Sequence, residues 1–417
     1  MIEQLFDESA RGMSRVQTLR RGPHGPLLES FAGELIHSRY ANLTARRHIR
    51  SAEHFIDLVT RKGIPLPQWN WVALQSFRQH LSRRPCSYGH AEPMNQITGA
   101  TQFLQHLRAN GTITGPLEEP VVEPELLSGF RRWMREQRGT CDAALDNYDP
   151  AILDLLKHLG DDPKRFDARS VRQRFLQFSS GKGHVVIKHG ATALRMFLRF
   201  LTAAGQCPPG LEAAVPLIPQ WRLASLPRYL QPDEVERIIA SCDRTTSVGK
   251  RDRAILLLLA RLGLRAGDVA RLRMSDIDWK EACVQVCGKS RRHTRLPITQ
   301  ELGGAIVDYL KSSRPLSDSD SLFLCCRAPY RPFGHPTAIS LIVSQAMRRA
   351  GVTAPGGRGA AHLLRHSVAT SLLRHGASLQ DIAVILRHRS IQTTQIYAKV
   401  DVTSLRPIAQ PWLGVQS

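Results

Sequence analysis

Six polar side chains in the C-terminal half of the sequence have types and spacings that could act together on a phosphate diester. Four short motifs carry them: GLRAGD at 263–268, CGKSRRHTRLP at 287–297, HLLRHSVAT at 362–370 and LRHRSIQTTQIYAKV at 386–400. Each motif alone is a weak signal, because short polar patterns occur by chance in many proteins. In chain order the six residues are Arg265, Lys289, His362, Arg365, His388 and Tyr397.

Direct attack on a phosphodiester needs a nucleophile, compensation of the phosphorane's extra negative charge, and a proton for the leaving alkoxide. The phenol of Tyr397 could be the nucleophile, although at pH 7 only about 0.1% of an ordinary tyrosine is ionised. Arg265 and Arg365 suit the non-bridging oxygens, because a guanidinium stays charged and donates two parallel hydrogen bonds. We therefore predict that Tyr397 attacks a phosphorus atom held by two arginines.

The order and spacing of the six residues resemble those of the tyrosine recombinases, the family of phage integrases and Xer-type chromosome-dimer resolvases. The gaps between successive members are 24, 73, 3, 23 and 9 residues, and the match covers the whole segment from about 221 to the end. The resemblance implies an enzyme that breaks and rejoins DNA through a 3′-phosphotyrosyl intermediate and a free 5′ hydroxyl. It calls for no metal, no ATP and no cofactor.

The same resemblance assigns roles to the remaining members of the set. His362 lies one helical turn before Arg365, so both would face one phosphate; it would act as general base or as a hydrogen-bond donor. His388 would donate to a phosphate oxygen in the transition state. Asp268 matches an acidic position of the family and would orient Arg265.

Lys289 would be the general acid for the leaving 5′ oxygen, because an ammonium can release a proton that a guanidinium cannot. Arg291, Arg292 and Arg295 are close in sequence, and any of them could contact phosphate instead. The first two are predicted DNA contacts. One position departs from the family, which commonly has Leu-Gly-His at the second histidine: here Arg387 replaces the glycine before His388. Arg387 would be a further DNA contact or a local packing difference.

The charge balance favours a polyanionic partner. The chain has 57 Lys and Arg against 36 Asp and Glu, a formal net charge of +21. Residues 221–417 carry 29 basic and 15 acidic side chains, two thirds of that excess. A surplus of this size suits double-stranded DNA, although a basic protein without such a partner is the alternative. In the helices before residue 221, candidate DNA contacts are Arg172, Lys188 and Arg195; a solvated charged face is the other interpretation of each.

Two proline-containing stretches, 111–124 and 215–230, resemble connectors. They predict domains at 1–114, 120–215 and 226–417. The first two show helical periodicity, so we expect two all-α modules, SAM-like and core-binding by resemblance. We expect the third domain to be a mixed α+β, mainly helical catalytic domain with a small antiparallel sheet.

The two helical modules also look like copies of one another. GATQFLQHLRANG at 99–111 parallels GATALRMFLRFLTAAG at 190–205, which suggests a duplicated module. In the third domain, residues 277–298 alternate like short strands around a turn at Gly288. Helices are predicted at about 266–274 and 378–387, among others.

We expect a site-specific DNA recombinase or integrase, in particular of a mobile element. Two alternatives remain: a type IB topoisomerase, which uses the same attack without exchanging partners, and a non-catalytic DNA-binding homologue. The tail ends in Pro411-Trp412-Leu413. By resemblance it would dock on a neighbouring protomer in a homotetramer on two DNA duplexes, or it would pack in cis. Related recombinases are further candidate partners.

The remaining patterns predict neither a membrane protein nor a zinc protein. The eight cysteines lack zinc-ligand spacing, and core filling in a reducing compartment is the simplest interpretation. The N-terminus MIEQLFDESARG lacks the features of a signal peptide. The most apolar run, at 254–264, is too short for a membrane span and contains Arg261. We therefore expect a cytoplasmic, nucleoid-associated protein.

Overall fold

A computed structural model describes most of the chain, in two compact units. One unit contains residues 1–117 and 223–417, and the other contains residues 118–222. Both are mainly helical, and a small antiparallel sheet lies in the C-terminal part, as the sequence predicted. The described residues are 1–6, 9–83, 92–120, 123–219, 226–287, 293–354, 360–388 and 390–400.

The N-terminal part of the first unit is a bundle of five helices with its own hydrophobic core. Aromatic rings from different helices meet edge to face in this core, as in Phe31 with Phe103 (5.3 Å between centroids) and Phe55 with Phe77 (5.6 Å). Such rings supply much of the buried apolar area that stabilises a small bundle. The helices are α1 (Ala10–Arg21), α2 (Gly25–His37), α3 (Asn42–Arg61), α4 (Trp71–Arg83) and α5 (Pro93–Ala109).

The second unit is also helical, with a separate core that includes Phe130 and Phe197 in edge-to-face contact. Its helices are α6 (Glu125–Arg138), α7 (Asp142–Leu145), α8 (Asp149–Leu159), α9 (Ala168–Ser179) and α10 (His184–Ala203).

The glycine that begins each of the two parallel sequence motifs lies at a close helix contact. A Cβ atom added at Gly99 in α5 would lie 2.5 Å from Cβ of Ser51 in α3. A Cβ atom added at Gly190 in α10 would lie 2.7 Å from a ring carbon of Phe178 in α9. Both glycines thus lie at close helix contacts, and the duplicated module stays a prediction.

The C-terminal part of the first unit surrounds α12, whose residues from Ala254 to Leu259 are almost completely buried. Packed against α12 are α14 and α16, and α15 packs against α13 and α16. The helices are α11 (Pro232–Ala240), α12 (Ser247–Leu262), α13 (Ala266–Arg271), α14 (Gln300–Ser312), α15 (Pro336–Arg349), α16 (Ala360–Arg374) and α17 (Leu379–Ile385).

Three short strands lie between α13 and α14: β1 (Ile277–Asp278), β2 (Cys283–Cys287) and β3 (His293–Pro297). They form an antiparallel sheet in the order β1-β2-β3, with Val284 opposite Leu296. The turn predicted around Gly288 lies outside the described residues. The helix predicted to reach about Met274 ends at Arg271, because the chain becomes extended at Leu272, whose carbonyl accepts from the amide of Leu322.

The expectation that the cysteines fill the core is wrong for most of them. Of the seven that the structure describes, only Cys242 is buried, and all seven are free thiols. In β2 the inward positions belong to Val284 and Val286, so strand alternation turns Cys283 and Cys287 toward solvent. Among the described residues, no helix combines the length and hydropathy needed to cross a bilayer.

The close contact of Gly190 with Phe178 allows a test of which effect on stability is larger, side-chain packing or helix propensity. Gly190→Ala should lower the free energy of unfolding by about 1–2 kcal/mol, because overpacking against Phe178 outweighs the better helix propensity of alanine. Gly304 in α14 is the matched control, because a Cβ atom there meets nothing within 4 Å. Gly304→Ala should raise stability by up to about 1 kcal/mol. Urea unfolding measures both, and a stabilising Gly190→Ala would contradict the predicted close contact.

Candidate active site

Arg365 lies in the middle of α16 with a side chain that is almost fully buried (4% exposed). Its two terminal nitrogens donate to the carbonyl oxygens of Gly263, which follows α12, and Leu386, which follows α17. Burial lowers the pKa of Arg365 to about 9, and the nearby charges of Arg265 and Arg387 act in the same direction. The guanidinium is therefore still charged at neutral pH.

Arg265 is the residue that precedes α13, directly after the turn that ends α12. Its Nη2 atom donates to the carbonyl of Arg387 at 3.2 Å. Burial lowers the pKa of Arg265, and the carboxylate of Asp268 partly opposes this effect. The hydrogen bond brings Arg265 to the same segment of chain that Arg365 holds.

Asp268 is a buried carboxylate shared by several arginines. Arg387 donates to it from Nη2 at 2.6 Å, and Arg271 donates at 3.3 Å. A nitrogen of Arg265 lies 4.0 Å away. Because only 2% of the Asp268 side chain is exposed, water cannot replace these partners, and the carboxylate fixes the guanidiniums around it.

Arg387 adopts a backbone conformation that glycine would adopt more easily, with φ at +54°. Its side chain is only 7% exposed and points to Asp268. Its Nε and Nη1 atoms are buried and have no hydrogen-bond partner within the described chain. The residue that departs from the family pattern thus adds a third guanidinium beside Arg265 and Arg365.

Tyr397 is buried (1% exposed) in a 3₁₀ helix, Gln395–Val400, where it packs with Val368, Ile382 and Leu386. Its phenol oxygen lies 2.7 Å from Nδ1 of His366, a hydrogen-bonding distance. Burial raises the pKa of Tyr397 to about 12, and the positive charge of Arg365 partly opposes this effect. The phenol is therefore neutral at pH 7.

His388 lies beside the phenol ring. The two rings are parallel, with centroids 6.5 Å apart. Nδ1 of His388 lies 2.8 Å from the hydroxyl oxygen of the buried Thr394, which fixes the ring orientation. Burial lowers the pKa of His388 to about 4, and Arg365 and Arg265 act in the same direction. His388 is therefore a neutral imidazole at pH 7.

His362 lies on the exposed side of α16, and its ring centroid is 6.4 Å from that of His366. His366 is the residue that the sequence interpretation did not select, although it stands in the HLLRH motif between Arg365 and Ser367. Its spacing of four from His362 places the two on one helix face. That spacing was the available signal, and it could have identified His366 as a site residue.

Other predicted site residues lie elsewhere or outside the described residues. Lys289, Arg291 and Arg292 fall in the segment 288–292, between the end of β2 and the start of β3, which is not described. Arg295, the alternative phosphate contact, lies on β3 and pairs across β2 with Asp278 on β1.

Three predicted DNA contacts lie in the second unit. Arg172 is exposed on α9, and Lys188 is half-buried on α10. Arg195 donates to the carbonyls of Val215 and Pro216, so its guanidinium already has main-chain partners. Among the described residues, no group of three or more His, Cys, Asp or Glu side chains could hold a metal ion.

Comparison with known proteins identifies the family of this constellation. The model of the phage integrase family matches residues 228–403. The protein y4rA of Sinorhizobium fredii, assigned by its name to the integrases and recombinases, is 33% identical over 410 residues, which cover 95% of this chain and 97% of y4rA. The tyrosine recombinase XerC of Oceanobacillus iheyensis is 32% identical over 225 residues, 52% of this chain and 70% of XerC. The chain belongs to the tyrosine recombinase family.

Solved structures agree with this family at the level of the fold. XerH site-specific recombinase, in a post-cleavage complex with palindromic difH substrate, aligns with a TM-score of 0.56 and 17% identity over 82% of this chain and 95% of XerH. A lambda integrase fragment bound to a COC′ core site gives 0.52 and 17% over 69% of this chain and 98% of the fragment. These likenesses support the predicted fold of this tyrosine recombinase, which is mainly helical with a small three-stranded antiparallel sheet.

The shared carboxylate yields a second prediction. Asp268→Asn should lower the free energy of unfolding of the recombinase by about 3 kcal/mol or more, because it leaves buried guanidiniums without their counter-charge. Asp278→Asn is the matched control: it breaks the exposed pair with Arg295 and should cost less than about 1 kcal/mol. Urea denaturation measures both; equal losses would show that Asp268 does not hold the cluster.

The lowered pKa of His388 yields a third prediction. Because the unfolded chain takes up the proton more readily than the folded one, the stability that neutral His388 contributes is present above about pH 6.5 and declines toward pH 4. His388→Asn removes this titration and should weaken the fall of unfolding free energy between pH 6.5 and 4. Parallel curves for the variant and the wild type would contradict the assigned pKa.

Proposed function

We propose that the recombinase cleaves DNA by attack of the Tyr397 phenol oxygen on the scissile phosphate, leaving a 3′-phosphotyrosyl ester and a free 5′ hydroxyl. The observation that carries the proposal is the convergence of these residues on one segment: Arg365 donates to the carbonyl of Leu386, and Leu386 packs in the same small core as Tyr397. The proposed catalytic residues are Tyr397, Arg265, Lys289, His362, Arg365 and His388.

Charge complementarity supports a phosphate at this point. Arg365 and Arg387, which are buried, and Arg265, which is half-buried, lie near one buried carboxylate, Asp268, so these three guanidiniums exceed it by two positive charges. Arg271, which also donates to Asp268, is largely exposed to solvent and is not included in this count. A phosphodiester carries one negative charge, whereas the pentacoordinate phosphorane carries two. The cluster therefore matches the transition state better than the ground state, which is the requirement for catalysis by charge.

In this proposal, the neutral imidazole of His388 and the guanidiniums of the arginines bind the phosphate in different ways. Arg265 and Arg365 bind the non-bridging oxygens, and Asp268 orients Arg265. His388 donates to an oxygen from Nε2, since Nδ1 is engaged with Thr394. His362 acts as base or donor, as in the family.

Lys289, in the segment between β2 and β3, protonates the leaving 5′ oxygen. The proposed DNA contacts outside the catalytic set are Arg291, Arg292, Arg387, Arg172, Lys188 and Arg195. Contacts to the phosphate backbone of this kind fix the register of the protein on the duplex and carry little sequence information.

We further propose that three domains, at 1–114, 120–215 and 226–417, bind double-stranded DNA together, with the N-terminal module as a duplicate of the core-binding domain. The assembly is a homotetramer on two duplexes, coupled by the tail that contains Trp412. The extra N-terminal module favours integration or transposition of a mobile element. A chromosomal substrate would locate the protein in the cytoplasm, with the nucleoid.

Tyr397→Phe tests the proposed nucleophile. On a DNA fragment from beside the gene that the wild type binds, wild-type recombinase should form an SDS-stable protein–DNA adduct. Tyr397→Phe should bind the fragment with similar affinity and form no adduct, because it lacks the attacking oxygen. Tyr330→Phe, a half-buried tyrosine distant in sequence, is the control and should retain the adduct. An adduct formed by Tyr397→Phe would overturn the proposal.

A partner-exchange assay separates the recombinase from its topoisomerase alternative. Two duplexes with different labels, both carrying the bound site, should yield Holliday junctions and recombinant products. Relaxation of supercoiled DNA without junctions would support topoisomerase-like strand passage instead.

A further inference from the structure

The oxygen of Tyr397 has a partner that belongs to none of the six residues of the recombinase pattern. Nδ1 of His366 lies 2.7 Å from this oxygen, and the two ring centroids are 5.6 Å apart with the planes at 59°. His366 stands on α16 directly after Arg365. The same helix turn therefore carries the buried guanidinium of Arg365 and the imidazole that contacts the nucleophile.

The protonation states decide the direction of this hydrogen bond. Burial raises the pKa of Tyr397 to about 12, so the phenol keeps its proton at pH 7. Burial lowers the pKa of His366 to about 4, and His362 and Arg365 add to the effect, so the imidazole is neutral. With its proton on Nε2, the ring accepts at Nδ1 the hydrogen that the phenol donates.

The other two imidazoles of the site are placed differently. The ring of His388 is parallel to the phenol ring with the centroids 6.5 Å apart, and its Nδ1 is engaged with the hydroxyl of Thr394. His362 lies on the exposed side of α16, with its ring 6.4 Å from that of His366. Of the three histidines, His366 is the one at hydrogen-bonding distance from the attacking atom.

We propose that Nδ1 of His366 accepts the proton of Tyr397 as the phenol oxygen bonds to phosphorus; the inference rests on the proposed role of Tyr397 as nucleophile. The electron pair of the O–H bond stays on oxygen, and an oxygen lone pair forms the new P–O bond. The bond from phosphorus to the 5′ oxygen breaks, and that oxygen takes a proton from Lys289. In rejoining, the imidazolium returns its proton to the departing phenolate.

The surroundings of His366 suit a base that works only when DNA is present. Without a phosphate, Arg365 disfavours an imidazolium beside it, so the phenol remains protonated. The phosphorane adds negative charge next to Arg365, and the phenol becomes far more acidic as its oxygen bonds to phosphorus. Both changes favour proton transfer at the moment of attack.

Two substitutions separate proton transfer from simple orientation. His366→Ala removes the acceptor, whereas His366→Asn keeps a hydrogen-bonding atom close to the position of Nδ1 but cannot take up a proton near neutral pH. Both should slow adduct formation by about 100-fold or more, with DNA binding and melting temperature close to the wild type. Wild-type rates in His366→Asn would reduce His366 to an orienting residue and overturn the proposal, even if His366→Ala is poorly folded.

A substrate with sulfur in place of the bridging 5′ oxygen shows whether His366 acts on the attacking phenol or on the leaving 5′ group. A thiolate leaves without being protonated, so this substrate should restore adduct formation to Lys289→Ala. It should not restore His366→Asn, because the phenol still has to lose its proton; restoration would place His366 at the leaving group and overturn the inference. Tyr397→Phe should form no adduct on either substrate, and an adduct there would refute the nucleophile assignment itself.

Discussion

The buried guanidinium of Arg365 is the interaction on which the arrangement of the site depends. It donates to two carbonyls that terminate different helices, Gly263 after α12 and Leu386 after α17. The C-terminal end of a helix carries a partial negative charge, roughly half an elementary charge in a long helix. Two such ends offset part of the several kcal/mol that burial of an ion costs.

The same pair of hydrogen bonds also determines where Arg265 and His388 lie. Arg265 comes two residues after Gly263, and His388 comes two residues after Leu386, so fixing these carbonyls also fixes where the two side chains begin. Leu386 packs in the small core that contains Tyr397. The hydrogen bonds of Arg365 to these two carbonyls therefore have two consequences. They compensate its buried charge, and they bring Arg265, His388 and Tyr397 close together. Removing the arginine would loosen both helix ends at once.

Much of the arrangement could be predicted from the sequence, and the exceptions have physical causes. Spacing selected Tyr397, Arg265 and Arg365 as site residues, and the segments that carry them come together in the structure. Arg365 and Arg265 donate to the consecutive carbonyls of Leu386 and Arg387, and Leu386 packs with Tyr397. His366 was not selected, although its spacing of four from His362 was an available signal; its contact with Tyr397, 31 residues away, leaves no pattern in the sequence. For Arg387, the sequence left two interpretations open, and its contact with Asp268 depends on how deeply that carboxylate is buried. The cysteines of β2 were assigned to the core, although the alternation with Val284 and Val286 already indicated solvent.

The burial of Tyr397 also affects the lifetime of the proposed phosphotyrosyl ester. A phosphotyrosyl ester exposed to water would hydrolyse slowly and leave a permanent nick, which would turn a conservative exchange into damage. Val368, Ile382 and Leu386 cover the phenol and leave 1% of the residue exposed. In the proposed intermediate, these apolar side chains would lie beside the ester and limit the approach of water.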